Sequence, residues 1–230
     1  CNVELQIPSI EIQKKYVSVF KGIQGNIDAL KSGYDELTEI CDKYIRKISS
    51  KTKYKKIGNY IEQTSEKNED RLSVNNVRGI SIEKKFIETK ANMTNVNLKN
   101  YLVINSKDFA YVPVTSRNGN KLSLAFNDTD NTYICSSSYI TFKTKDMGSL
   151  YPDYLNMFLS RAEFDRYARF NSWGSAREVF SFEDMKDVAI PIPSIETQRA
   201  IADINNIKIQ RKKLAASLED VLNKLCPVLI

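Results

Sequence analysis

Two stretches of the chain carry apolar residues at alternating steps of four and three. In the first, Tyr16, Phe20, Ile23, Ile27, Leu30, Tyr34, Leu37, Cys41, Tyr44 and Ile48 share one stripe. In the second, Ala200, Ile204, Ile207, Arg211, Leu214, Leu218, Val221, Leu225 and Val228 do so, with Arg211 as the polar interruption. A sustained 3.5-residue period keeps a stripe facing a partner helix, so each stretch predicts a coiled-coil seam. One polar residue in such a stripe sets register. About 33 residues of seam, at 1.5 Å per residue, make a stalk roughly 50 Å long. The competing arrangement packs both amphipathic helices onto the intervening fold.

Between the seams the period changes. "YLVINSKDFAYVPVT" (101–115) and "TYICSSSYITFKT" (132–144) are rich in β-branched and aromatic residues and predict strands. "SRNGNK" (116–121) predicts a turn, with Asn118-Gly119 suited to a tight hairpin, and "KLSLAF" (121–126) a short strand. "YPDYLNMFLSRAEFDRYARF" (151–170) predicts one helix with Pro152 in its first turn, and Glu183-Asp184 another helix start. The expected fold class is therefore α+β, a mixed α/β head on a long two-helix stalk.

Each seam is preceded by nearly the same words, "IPSIEIQ" at 7–13 and "IPSIETQ" at 192–198. Pro8 and Pro193 hold the preceding residue extended, Ser9 and Ser194 stand where an N-cap belongs, and Glu11 and Glu196 face the positive end of the helix dipole. Upstream, Val3 and Leu5 mirror Val188 and Ile190. Both copies thus read as strand end, proline stop, helix start. Helix one enters the central segment and helix two leaves it, so the two should pair antiparallel. The first copy carries one extra residue between junction and seam, with Gly22 and Gly25 close by to absorb it.

Composition narrows the chemistry. The 230 residues suffice for one or two domains, and no apolar run reaches membrane-spanning length. With Cys rather than Met at position 1 and no signal peptide, the chain reads as a fragment or processed piece. Four scattered cysteines without a CxxC pair read as reduced thiols in a cytoplasmic protein. The absence of histidine removes Ser–His and Cys–His nucleophiles and the commonest metal ligand. No phosphate-binding or dinucleotide loop occurs, so neither cofactor nor metal is expected. A formal charge of +6 permits a polyanionic partner without demanding one.

One pattern suggests an enzyme: Pro152-Asp153 followed by Asp184-Met185-Lys186, the spaced acidic–lysine arrangement of some Mg²⁺-dependent nucleases. Both carboxylates also fit helix first turns. More telling is "RYARFNSWGSAREV" (166–179), where Arg166, Arg169 and Arg177 flank Asn171, Ser172, Trp173, Gly174 and Ser175. Arginine forks grip phosphates and guanine edges, asparagine reads adenine, and an aromatic wedges or stacks. Equally open is a Trp173 buried in the core among ordinary surface arginines. Arg117, Asn118, Asn120 and Lys121 at the hairpin tip, and Arg78, Lys84 and Lys85 in "RGISIEKKF", are similarly basic and polar.

"VAIPIPSIETQRAI" (188–201), "VRGISIEKKFI" (77–87), "DFAYVP" (108–113) and "EFDRYARFNSWGSAREVF" (163–180), with the doubled junction, resemble the specificity subunits of type I restriction–modification systems. The resemblance implies four segments. Residues 1–6 would be the tail of a missing upstream recognition domain, 7–49 the first conserved helix, 50–191 a target recognition domain and 192–230 the second conserved helix. It implies a non-catalytic, sequence-specific reader of double-stranded DNA that recognises one half of a bipartite target, with the stalk as spacer ruler. Modification (methyltransferase) subunits and a restriction subunit would be its partners, and a two-fold dimer of the fragment could imitate a two-headed subunit. Expected DNA contacts, chosen by residue chemistry, are Arg117, Asn118, Asn120, Lys121, Arg169, Asn171, Ser172, Trp173, Ser175 and Arg177. A coiled-coil adaptor and the metal-dependent nuclease are the alternatives.

Overall fold

A computed structural model describes residues 7–115, 121–175 and 177–225. The chain divides into two compact units, Cys1–Lys47 with Asp203–Ile230, and Ile48–Ala202.

The first unit is formed by α1 (Ile10–Lys51) and α5 (Ile195–Leu225). Each helix begins immediately after its junction serine, whose carbonyl accepts the first helical bond, from Gln13 N–H and Gln198 N–H at 3.0 Å. The helices run antiparallel. Lys31 meets Glu219 at 2.6 Å, the Arg211 guanidinium lies against Gly33, and Lys212 sits 5.6 Å over the Tyr34 ring. A side chain at position 33 would collide with that guanidinium, so the small residue makes room for the polar interruption of the second stripe.

The inner faces depart from the heptads. On α1, Ile27 and Cys41 are buried as the stripe requires, but Tyr16, Phe20 and Tyr44 are exposed and Ile45 is buried instead. From Leu37 the inner positions step to Cys41, Ile45 and Ile48, the drift of an α-helix that keeps 3.6 residues per turn. On α5 the buried stripe is Ile201, Asn205, Ala215 and Leu222, rotated by one residue from the predicted seam; Ile207, Leu214 and Val221 face outward. Small Ala215 is buried on this stripe, a position that apolar periodicity does not nominate. Val228 lies outside the described residues, as do Val3 and Leu5.

The second unit is built from short strands. A four-stranded antiparallel sheet has the order β2 (Ile61–Thr64), β9 (Ile140–Thr144), β6 (Phe109–Tyr111), β7 (Leu124–Phe126). Three two-stranded ribbons complete it: β1 (Tyr54–Lys56) with β10 (Ala189–Pro191), β3 (Arg78–Ile80) with β4 (Phe86–Glu88), and β5 (Leu102–Ile104) with β8 (Tyr133–Cys135). Each long strand expected from sequence is thus two strands that join different sheets. The break in 101–115 is a tight turn at Asn105–Asp108, with Lys107 in the left-handed region at φ 68°. The predicted 151–170 helix is also two, α2 (Pro152–Leu159) and α3 (Ala162–Phe170), and α4 (Phe182–Lys186) follows.

Aromatic packing fills the core. Phe109 stacks on Phe142 at 4.8 Å and meets Phe126 at 4.7 Å; Tyr111 lies edge-on to Phe142 and to Phe180. Each ring buries a large apolar surface and gains a further increment from these geometries. Phe180 is fully buried and also meets Phe164 and Tyr167 of α3 edge-on, tying helix to sheet. Cys135 is deep enough in this unit that burial pushes its thiol up to about 12, and Cys41 is likewise a buried free thiol.

Asp108 closes the β5–β6 turn by accepting the Asn105 N–H at 2.9 Å. Burial pushes its carboxyl up to about 6 from 3.8, against the lowering effects of the Asn105 N–H and Lys143, while Glu66 raises it further. The folded state therefore binds the proton more tightly than the unfolded chain. The associated stability is fully present below about pH 4 and is lost as pH rises through 6. Asp108→Asn keeps an oxygen for the Asn105 N–H but cannot ionise. Its melting temperature relative to the parent should rise between pH 4 and 7; a constant difference across that range would contradict the assignment.

Candidate nucleic-acid interface

Residues 173–175 and 177–179 face each other in a closed loop at the end of α3. Trp173 and Val179 exchange both backbone hydrogen bonds, at 3.2 and 2.9 Å. Val179 also bridges Val114, Thr115 N–H donates to Glu178 O at 2.9 Å, and Phe180 N–H donates to Pro113 O at 2.9 Å. The loop is therefore fastened along Pro113–Thr115 and rooted by the buried Phe180. Gly174 turns it at φ 144°, a conformation that excludes other residues, and a side chain there would strike the Arg177 carbonyl.

The sequence-predicted residues divide by what their side chains do here. Asn171 Nδ2 donates to Tyr167 O at 2.9 Å, and buried Ser172 donates its hydroxyl to Ala168 O at 2.6 Å, so both cap the last turn of α3. Arg169 pairs with Glu178, pinning α3 to the loop. Trp173 is 66% exposed, which overturns the core reading, and Ser175 and Arg177 are exposed beside it. Phe170, which composition did not single out, is 78% exposed at the last position of α3.

Of the hairpin cluster only Lys121 lies among the described residues. Arg117, Asn118 and Asn120 fall outside the described residues, but their flanks do not. Thr115 is bonded to the loop through Glu178, and on the other side Leu122 N–H donates to Asp165 of α3 at 3.1 Å. Lys121 is exposed beside that contact. Thr115 is thus held to the loop and Leu122 to α3. The third cluster does other work. Lys84 is nearly buried, paired with Asp165 at 2.7 Å and bonded to Leu159 O at 2.8 Å. Arg78 lies 4.7 Å over the Tyr133 ring and bonds local carbonyls.

The nuclease pattern is not assembled. Asp153 is buried against Lys107 at 3.1 Å, and Asp184 forms a capping box with Ser181. Among the described residues no cluster of three acidic or thiol side chains could hold a metal.

The second junction is built into this unit. Gln198 is fully buried; its Nε2 donates to Pro193 O at 2.9 Å and to Ser149 O at 3.1 Å, and its Oε1 accepts Tyr151 N–H at 2.9 Å. At the first junction Gln13 repeats the local bond, to Pro8 O at 2.7 Å, while Ile7, Ile10, Tyr16, Val17 and Phe20 are exposed.

No curated relative matches the chain. Among solved structures, the S subunit of a type I restriction–modification system from M. genitalium superposes with a TM-score of 0.66 at 14% identity, over 96% of this chain and 61% of that one. The HsdS subunit from Thermoanaerobacter tengcongensis gives 0.50 at 12% identity, over 97% and 58%. The chain thus spans about three fifths of the length of these proteins, and at such identities the likeness is one of fold. The family profile of the type I restriction modification DNA specificity domain matches residues 30–215, so this chain belongs to that family.

Proposed function

We propose that this chain is the sequence-specific DNA-recognition part of a cytoplasmic type I restriction–modification complex. The mixed unit reads one half of a bipartite double-stranded target, and the antiparallel helices serve as the spacer between halves. The observation that carries the reading is the anchored loop at the end of α3, where Trp173, Ser175 and Arg177 are exposed, with Lys121 exposed next to the Leu122–Asp165 contact on the same helix. Phosphate contacts position such a surface and base contacts specify, so fixed loops suit the task better than mobile ones. Chemistry is left to the modification and restriction subunits.

Two further surfaces support that assembly. On α5 the outward Ile207, Leu214 and Val221 recur every seven residues, a stripe suited to a helix of a modification subunit. The exposed apolar face of the first junction is the seat of a second recognition domain. In a two-fold dimer of this chain, the second head comes from the other copy.

A duplex enriched from a random-sequence pool by the 230-residue chain should bind it with strong salt dependence. Lys121→Ala and Arg177→Ala should each weaken binding to all sequences alike and reduce the logarithmic salt slope by about one. Unchanged affinity in both would remove this surface from the interface. Gly174→Ala should cost about 1–3 kcal/mol of stability through its backbone strain and weaken duplex binding by displacing the loop; thermal melting and duplex titration check it, and parental binding would count against a loop of fixed shape. Leu214→Glu with Val221→Glu should abolish co-purification with modification subunits while leaving the melting temperature within a few degrees, and retained co-purification would place the dock elsewhere.

A further inference from the structure

Phe170 and Trp173 are large, apolar and exposed, yet the backbone beside them is fastened by side-chain caps and a backbone bridge. Phe170 closes α3, whose last turn is capped by the side chains of Asn171 and Ser172 and pinned by Arg169 to Glu178. Trp173 opens the bridged loop rooted by Phe180. Exposed aromatics at this fixity lose little conformational freedom when a partner covers them. Cations share this helix and loop with the carboxylates of Glu163 and Glu178: Arg177 is exposed, Arg166 has a side chain 70% exposed with a 3.8 Å contact to Glu163, and Lys121 is exposed next to the Leu122–Asp165 contact. Apolar rings rimmed by cations fit a polyanion that offers aromatic faces.

Resting on the DNA reading above, we propose that Phe170 and Trp173 form a stacking step that enters an opened base step of the bound duplex, with Arg166, Arg177 and Lys121 holding the flanking phosphates. Aromatic wedges partly unstack the step they enter and kink the duplex, so the sequence at that step is read through its deformability as well as its edges. The head would then favour the flexible pyrimidine–purine steps at one position of its half-site.

Trp173 is the only tryptophan of the chain, so its emission reports the step directly. The enriched duplex, carrying 2-aminopurine at each successive position and an end label for anisotropy, is titrated with the full chain. Stacking predicts quenched Trp173 emission and a rise in 2-aminopurine emission at one step. Phe170→Ala should lose that rise and weaken binding about tenfold, while Phe170→Tyr restores both. Phe170 is exposed enough that its replacement leaves the fold intact. Binding by anisotropy with Trp173 and 2-aminopurine emission unchanged would overturn the stacking step and leave the DNA reading standing. If no duplex is enriched or bound, both fall.

Discussion

The burial of one ring, Phe180, organises the candidate interface. Its side chain is sealed by Tyr111 from the sheet and by Phe164 and Tyr167 from α3. Its backbone is bonded to Pro113, just beyond β6 of the β6–β7 hairpin. Sheet, helix, hairpin and loop therefore share one fixed point. Nothing that protrudes from the loop can move far without disturbing packing worth several kcal/mol. Under the proposed role, a surface built this way would select among duplexes by complementarity rather than by adjusting to them.

Parts of this architecture were legible in the letters. Seam period, proline stops and N-cap serines identify both long helices and their polarity, because these signals are local and their physics is local. The face each helix buries was less legible. Periodicity on α5 points to Ile207, Leu214 and Val221, all exposed, whereas Ala215 is buried and Arg211 lies against Gly33 of α1. Such choices depend on a residue far away in sequence. The broken strands are a similar case. "YLVINSKDFAYVPVT" reads as continuous β structure, yet Asp108 and a left-handed Lys107 turn it back, and neither residue announces a turn by itself.

The interface residues separate along the same line. Arg177 and Trp173 could be nominated by chemistry, and the structure leaves both exposed. Asn171 and Ser172 carry equally suggestive chemistry, but a helix ends just before them and claims their hydrogen bonds, so their first duty is to α3. Their place after a run of helical residues was the available signal, since asparagine and serine favour helix ends. Phe170 reads as core from its chemistry; its position at the last turn of α3, with no partner ring among the described residues, leaves it exposed. Lys84 went the other way, drawn inward by Asp165.

Gln198 carries a wider implication. Its amide grips the main-chain atoms of Pro193, Ser149 and Tyr151, which every polypeptide possesses whatever its side chains. A coupling that checks only the course of the backbone is indifferent to the surface displayed elsewhere. Under the proposed role, a head with different surface side chains but the same backbone course would be gripped by Gln198 in the same way.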